Sequence, residues 1–400
     1  MNKKFIILAA MAAVFGMSFT ACSNDDEATG AGNGSVNLPT RVAFNAYLDG
    51  ATATRAYNAS LADIQTDGMS VWAFDATKET AISDAADFFM GGPTAGLAHT
   101  WDGTHNWYKA ENDYFWPEYN LNFVALTPQT GGGIGTIGIS QAAKDGDVLQ
   151  KPVMTVAVDV PLTTESEGTY GADTQKDIMI ASIENQGAIT NGTSAGLTFK
   201  HALSQIVFKG GVDAKTTIHK AVVKSIKLVN IASNGTITYT AASDAFAASG
   251  WGDKNKTYAA NIVNANVTAK IGNDDSADDE TPNAITGQDN NADGRAYQMM
   301  ILPQTSTECE GVTGAENLSQ LGAPTAGTYL LVNADLYANG DNVNKVISSA
   351  TNVYIPLAET EWEPSTKYTY TLKFGDNLLH PITFEASIAD WTDASKNVEF

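Results

Sequence analysis

The sequence contains one short motif that a nucleophilic enzyme could use. Gly192, Ser194 and Gly196 follow the G-x-S-x-G pattern, in which a sharp turn presents a serine hydroxyl for attack on a carbonyl carbon. That turn requires a strand before the serine and a helix after it. Here a Gly/Asn-rich loop precedes Ser194 and a strand-like segment follows it, so we interpret the match as accidental. The five histidines have no spacing typical of a metal or catalytic site, and we predict that the protein is not an enzyme.

An acidic loop in the second half of the chain resembles half of a calcium-binding loop. Asp289, Asn291 and Asp293 alternate and are followed by Gly294, as the first oxygen ligands of such a loop would be. The complete loop needs a glutamate at its twelfth position, where this chain has Met300. The loop therefore either attracts Ca²⁺ weakly or is simply a solvated acidic segment, and we assign no metal ligand and no cofactor.

Seven aromatic residues cluster between positions 101 and 119 and are the remaining candidates for binding. They are Trp101, Trp107, Tyr108, Tyr114, Phe115, Trp116 and Tyr119. If exposed in a row, they could stack on sugar rings. If buried, they would fill the core of the first domain while their polar atoms reach partners, and we favour this second interpretation.

The first residues predict export and a lipid anchor. Lys3 and Lys4 precede an apolar run over residues 5–15, which is too short to span a bilayer and is typical of a signal peptide. Residues 18–22 (SFTAC) are similar to a bacterial lipobox, so we predict a signal peptide over residues 1–21 and lipidation of Cys22. A Gly/Asn/Asp-rich tether follows to residue 40, and the acidic residues 25–27 resemble a signal that sends lipoproteins to the cell surface. The alternative is an ordinary cleavage site beside an incidental cysteine.

The composition excludes some classes of partner. The 400 residues carry a net charge of −22, which argues against nucleic acid as a partner because phosphate binding needs a cationic face. Only three arginines occur, Arg41, Arg55 and Arg295. Hydrophobic residues make up 43%, as in a globular protein, and the length allows two or three domains.

Short alternating segments separated by turn residues predict an all-β fold. The first segment places Val42, Phe44, Ala46 and Leu48 on one face, and about a dozen similar segments follow. Helices are expected only as short pieces near residues 60–64, 83–89 and 318–321. We predict antiparallel sandwiches divided after the Gly/Asn/Ser linker 191–196, which gives an N-terminal domain over residues 41–196 and a C-terminal domain over residues 197–400.

A set of motifs in a fixed order suggests a family. The motifs are the lipobox with its acidic tail, residues 54–56 (TRA), 114–117 (YFWP) ahead of 121–125 (LNFVA), 177–181 (DIMIA), 197–208 (LTFKHALSQIVF), 301–304 (ILPQ), Trp362 ahead of 368–370 (YTY), and 388–391 (IADW). Together they resemble the fimbrillin family, the pilins of type V fimbriae of gut and oral Gram-negative anaerobes. The resemblance covers nearly the whole chain, although each motif alone is short and degenerate.

This resemblance implies a fold and a mode of assembly. It implies two tandem transthyretin-like β-sandwich domains, export to the outer membrane as a surface lipoprotein, and maturation by an arginine-specific protease. The cut removes a first strand, and a strand from another copy or a related pilin fills the groove. Arg55, followed by Ala56, matches the family cleavage site, so residues 41–55 would be the removable strand. The alternative is that Arg55 is a solvated loop charge.

A second segment repeats the pattern of the first strand. Ile382, Phe384, Ala386 and Ile388 follow the same order of large, aromatic, small and large side chains as the first strand, so they are candidates for the donor strand. The competing interpretation makes residues 382–391 the last strand of the C-terminal domain and leaves only 396–400 free. As a different function class, the protein could be a surface lipoprotein that never polymerises and binds a glycan or host ligand through its aromatic residues.

Overall fold

A computed structural model gives the structure of most of the chain. It describes residues 41–48, 61–162, 175–189, 194–213, 218–260, 262, 265–267, 270–271, 283–285, 299–309, 324, 326–338, 346–357, 359–375, 384–390 and 396–399. Cys22, Arg55, Ala56, Ile382 and the acidic loop 289–293 lie outside these residues, as do the predicted signal peptide and the tether. The short helix predicted near residues 318–321 also lies outside them.

The described chain is built almost entirely of β-strands. The strands of the first half are β1 Phe44–Leu48, β2 Met69–Asp75, β3 Phe88–Met90, β4 Leu97–Asp102, β5 Trp107–Lys109, β6 Leu121–Thr127, β7 Ile134–Ser140, β8 Val153–Asp159, β9 Met179–Gln186 and β10 Ala195–His201. Those of the second half are β11 Ser204–Asp213, β12 Ile218–Ile231, β13 Asn234–Thr240, β14 Ala245–Ser249, β15 Lys256–Ala259, β16 Asn266–Val267, β17 Lys270–Ile271, β18 Asn283–Ala284, β19 Met299–Ile301, β20 Gln304–Thr305, β21 Tyr329–Ala338, β22 Val346–Pro356, β23 Glu361–Trp362, β24 Thr366–Phe374, β25 Phe384–Asp390 and β26 Lys396–Glu399. The predicted all-β class is confirmed.

Helical structure is limited to two short pieces in the described residues. One is the α-helix α1, Leu61–Asp67, and the other is a 3₁₀ turn, Ala85–Asp87. Gly68 ends α1 with φ +67, and its N–H donates to the carbonyl of Ile64 at 2.9 Å. Glycine suits this position because the left-handed conformation carries no Cβ penalty there.

The first sheet contains eight strands, seven of which close into a ring. The order around the ring is β2, β4, β5, β1, β10, β9 and β6, and β6 pairs again with β2; β3 lies outside, against β2. Within the ring, β1 and β10 are parallel, and the other pairs are antiparallel. Since β1 is one of the seven strands, the ring is closed only while β1 is in place.

Strands β2 and β6 separate two hydrophobic cores. Val71 on β2 and Phe123 on β6 belong to the core inside the ring. Their neighbours Trp72 and Val124 point to the opposite face and belong to a larger core that extends into the second half of the chain. A strand buried on both faces must be apolar throughout, which accounts for the nearly continuous apolar run of residues 69–74.

The second half adds two large sheets and shares a third with the first half. β17, β11, β24, β25 and β26 lie side by side in that order, with β18 and β19 also paired to β11. β15, β12, β21 and β22 form the next sheet, with β16 paired to β12. A four-stranded sheet joins β7 and β8 to β13 and β14, and β20 pairs with β23 alone.

The predicted division after residue 196 does not coincide with a break between sheets. Residue 196 lies inside β10, whose two ends both belong to the first sheet. β8 pairs with β13 over seven positions, from Asn234↔Asp159 to Thr240↔Val153, so strands from both predicted domains share one sheet. The described strands of the first sheet end at His201, and β11 begins the next sheet at Ser204.

Candidate functional site

The place of β1 in the ring is the feature that the assembly hypothesis requires. β1 pairs with β10 at five positions, from Phe44↔Ala195 to Leu48↔Phe199. Its other neighbour, β5, is paired with it at one position, Phe44↔Tyr108. Removal of β1 would therefore open the ring between β5 and β10.

Phe44 is the anchor of β1 in the core. Its side chain is fully buried, and its ring meets His99 and Phe123 edge-to-face with centroid distances of 5.2 and 5.1 Å. We call His99, Tyr108, Phe123 and the adjoining backbone of β10 the β1 seat. Such edge contacts add about 0.5–1.5 kcal/mol each to the free energy gained by burying an aromatic ring. A strand that replaces β1 would need a large apolar side chain at this position.

The predicted inward face of β1 is confirmed. Val42 is buried beside Phe44, and Ala46 and Leu48 are half-buried and pack against the same core. On the other face Tyr47 is 52% exposed and lies over Gly196, where an added Cβ would come within 2.9 Å of the tyrosine ring. Gly196 thus provides room for Tyr47.

The G-x-S-x-G segment has the wrong surroundings for a nucleophile elbow. Ser194 leads directly into strand β10, so the helix that the elbow requires does not follow it. This agrees with our interpretation that the motif is accidental.

The leading end of β1 is held by residues 113–115, which we call the clasp segment. Arg41 forms an antiparallel bridge with Phe115, and its guanidinium lies 2.7 Å from a carboxylate oxygen of Asp113. The N–H of Val42 donates to the carbonyl of Tyr114 at 2.7 Å. The Tyr114 ring meets Phe89 edge-to-face at 5.9 Å, which fixes the clasp segment to the body of the sheet.

His99 is a polar member of the β1 seat that the sequence analysis did not single out. It is 1% exposed, and its Nδ1 lies 2.9 Å from the carbonyl oxygen of Leu97. Burial lowers the pKa of His99 to about 4 from its ordinary value of 6.5, because the charged ring would lose its hydration. The alternation of Leu97, His99 and Trp101 is a strand pattern that could have placed this histidine on an inward face.

The aromatic cluster divides between core and surface. Tyr108 and Trp116 are buried, as our favoured interpretation predicts. Phe115 and Tyr119 are 43% and 40% exposed, whereas Trp107 is half-buried and stacks on His105 with centroids 5.1 Å apart. The cluster is therefore not one continuous exposed row.

Of the donor-strand candidates, Phe384, Ala386 and Ile388 lie in β25. β25 pairs antiparallel with β24 at seven positions, from Thr366↔Asp390 to Leu372↔Phe384. β26 pairs with its other side at four positions. The pairing of β25 with β24 is what the competing interpretation predicts for the last strand of the C-terminal domain. That interpretation left residues 396–400 free, whereas residues 396–399 are paired with β25 as β26. The donor assignment stays a prediction.

The other polar clusters in the described chain have structural partners. His105 Nδ1 and Asp102 Oδ2 are 2.8 Å apart, and His201 Nδ1 and Asp177 Oδ2 are 2.5 Å apart. Within the described ranges, no three His, Cys, Asp or Glu side chains are grouped to hold a metal ion. Neither helix in those ranges has the length and apolar character of a membrane span.

A family model described as fimbrillin-like matches residues 54–391 of the chain. The chain is a member of the fimbrillin-like family. The predicted family is thereby confirmed, and membership supports a fimbrial or adhesive role at the cell surface, with a structural rather than an enzymatic character. The match begins after β1, so β1 lies outside the matched residues.

Solved structures of Bacteroides proteins are similar to this chain. A fimbrial protein from Bacteroides vulgatus is 16% identical, with a TM-score of 0.53, over 88% of this chain and 99% of that one. This similarity supports the fold. A candidate cell adhesion protein from Bacteroides uniformis is 14% identical over 88% of this chain and 98% of that one, with a TM-score of 0.40. The search of curated proteins finds no significant match.

Proposed function

We propose that this fimbrillin-like protein is a structural fimbrial subunit that assembles by protease-triggered donor-strand exchange. An arginine-specific protease cuts after Arg55, residues up to 55 leave, and a strand of another copy or of a related pilin enters the β1 seat. The observation that carries the proposal is the position of β1, which closes the ring with a fully buried Phe44. Arg55 follows β1 and precedes α1 in the sequence, so a cut there would leave the other described strands intact.

The packing of β1 explains why cleavage and exchange would be coupled. Burial of Val42 and Phe44 is worth about 3–6 kcal/mol in total, at roughly 1.5–3 kcal/mol for each side chain. A cut after Arg55 does not remove these contacts, so β1 would remain bound until an incoming strand offers similar ones. An emptied seat would expose an apolar slot with two strand edges, a state that favours association.

The segment 382–388 remains the candidate donor. Phe384 would occupy the position of Phe44, and Ala386 that of Ala46. β25 and β26 are the last two strands in their sheet, so their departure would leave only one edge of β24 unpaired. Alternatively, β25 stays in place, in which case another segment donates or the subunit terminates the fimbria.

The topology also supports tandem domains of transthyretin-like type. β1 is parallel to β10 in the first half of the chain, and β11 is parallel to β24 over eight positions in the second. Each half thus pairs one of its first strands in parallel with one of its later strands. Lipidation of Cys22 would hold the two domains at the outer surface before assembly.

The proposal is tested by Arg55→Ala, with Arg295→Ala as the matched control. Both proteins are treated with an arginine-specific protease, and intact mass and native size are measured. The control should be trimmed at Arg55–Ala56 and form ladders that resist mild denaturant, while Arg55→Ala should stay monomeric. Normal polymerisation of Arg55→Ala would contradict the proposal.

A second candidate function is glycan binding by a subunit that does not polymerise. The exposure of Phe115 and Tyr119 favours it, because flat exposed aromatic rings can stack on sugars. Binding of the monomer to a glycan array, lost when Phe115 and Tyr119 are both replaced by alanine, would support this function over the first.

A further inference from the structure

β1 has an arginine on either side, Arg41 before it and Arg55 after it, and a protease that recognises arginine has to distinguish them. We propose that the clasp segment, residues 113–115, protects the Arg41–Val42 peptide bond and so directs the protease to Arg55. This inference rests on the proposed function, since it concerns the choice of cleavage site.

The backbone around the Arg41–Val42 bond is already paired. The amide of this bond is the N–H of Val42, which donates to the carbonyl of Tyr114 at 2.7 Å. On the other side, the N–H of Ala195 donates to the carbonyl of Ala43 at 2.8 Å. Proteins that bind an extended peptide commonly pair with its backbone as an added strand. A protease would have to displace the clasp segment before it could pair with the backbone around Arg41.

The side chains that follow the bond are buried as well. Val42 and Ala43 are 4% and 3% exposed, and Phe44 is fully buried in the β1 seat. A protease cleft would have to pull these residues out of the core to accommodate them. The ion pair of Arg41 with Asp113 adds little by itself, because both side chains are 42% exposed. It nevertheless occupies the guanidinium that the protease must recognise.

The choice of bond decides the fate of the subunit. A cut after Arg41 would separate the chain from the predicted lipid at Cys22 and leave β1 in its seat. The product would be a released monomer that cannot accept a strand until it is also cut after Arg55. A cut after Arg55 would leave β1 held only by its contacts in the seat, so that an incoming strand can replace it. Protection of Arg41 therefore prevents release of the subunit before it can accept a strand.

The test compares cleavage rates at the two arginines in the full-length protein. An arginine-specific endoprotease is added, and the products are followed by intact mass. In the wild type we expect the cut after Arg41 to be at least a hundredfold slower than the cut after Arg55. Synthetic peptides of residues 36–48 and 50–62 should be cut at similar rates. Equal rates at both arginines in the folded protein would overturn the inference.

A second test loosens the clasp segment with the double variant Asp113→Ala/Phe115→Gly. The control is the double variant Glu111→Ala/Tyr119→Gly, which removes another exposed acidic residue and another exposed aromatic residue nearby. We expect the first pair to raise the rate of the cut after Arg41 at least tenfold and the control pair to leave it unchanged. An unchanged rate in both, or the same increase in both, would overturn the proposal.

Hydrogen exchange keeps the inference testable if the clasp variant does not fold. The Val42 amide of the wild type should exchange at least a hundredfold more slowly than in the 36–48 peptide, and exchange at the peptide rate would overturn the protection. A wild-type protein in which neither bond is cut would contradict the proposed processing at Arg55 but not the protection of Arg41.

Discussion

Phe44→Ala is the substitution that should most weaken the attachment of β1. Phe44 is fully buried, with rings on two sides, so its truncation leaves a cavity in the core of the ring. Such Phe→Ala changes cost about 3–5 kcal/mol of unfolding free energy. Tyr47→Ala is the matched control, because Tyr47 lies on the same strand, is aromatic and is 52% exposed. We expect the control to cost less than about 1 kcal/mol.

The same substitution should speed release of the strand once the chain has been cut. If about 4 kcal/mol of the contacts of β1 are lost, the fragment that contains it should dissociate about a thousandfold faster, at about 1.4 kcal/mol per factor of ten. Stability is measured by urea unfolding of the uncut protein. Release is measured by the loss of fluorescence anisotropy of a label on the fragment after cleavage.

The two readouts must change together for the reasoning to hold. A cost below about 1 kcal/mol, or equal costs for Phe44→Ala and Tyr47→Ala, would refute the view that β1 is held by its buried anchor. Loss of stability without faster release would mean that β1 is held mainly by its backbone pairs with β10.

Two further predictions concern buried polar side chains. Burial disfavours protonation of His99 in the folded protein, so stability should fall as the pH drops from 6.5 towards 4. Between pH 7.5 and 4.5 the wild type should lose about 2–3 kcal/mol of unfolding free energy more than His99→Gln, as measured by urea denaturation. Parallel profiles for the wild type and His99→Gln would contradict this. The Gln304 side chain accepts a hydrogen bond from the Ala232 N–H and donates one to the Ala232 carbonyl, each at 2.9 Å. Gln304→Ala should therefore cost about 2–4 kcal/mol of unfolding free energy, as measured by thermal unfolding. Gln150→Ala is the control and should cost much less, because the Gln150 side chain makes one hydrogen bond of 3.4 Å.

The strands with a clear apolar pattern are the ones that the sequence predicts well. The apolar patterns of residues 121–127 and 153–160 each predict a strand. The first is β6 residue for residue, and the second is β8 with one residue fewer. Both patterns are strong because their apolar side chains are buried. The short helix predicted over 60–64 is α1, and that predicted over 83–89 is a 3₁₀ turn followed by β3.

Strands with many glycines or polar residues are not recognisable in the same way. β7 (IGTIGIS) follows three glycines and reads as a loop, and it becomes a strand by pairing with β8. Local periodicity also does not predict that β1 and β10 run parallel, because their direction depends on contacts between segments that are distant in the sequence. The division after residue 196 relied on a Gly/Asn/Ser linker, yet Ala195 and Gly196 already belong to β10.

Part of the candidate site was accessible from the sequence. The inward face of β1 follows from period-two alternation. His99 and the clasp segment were not predicted, because their importance comes from contact with β1 across the ring, at separations of more than 50 residues.

The central claim is that β1 is a removable strand whose place another chain takes. It is tested most directly by native mass spectrometry of the full-length protein after cleavage by an arginine-specific protease. We predict subunits that begin at Ala56, lack the fragment ending at Arg55, and associate into a ladder of oligomers. Subunits that are cut after Arg55 but keep the fragment bound and stay monomeric, or that lose it and stay monomeric, would contradict the claim.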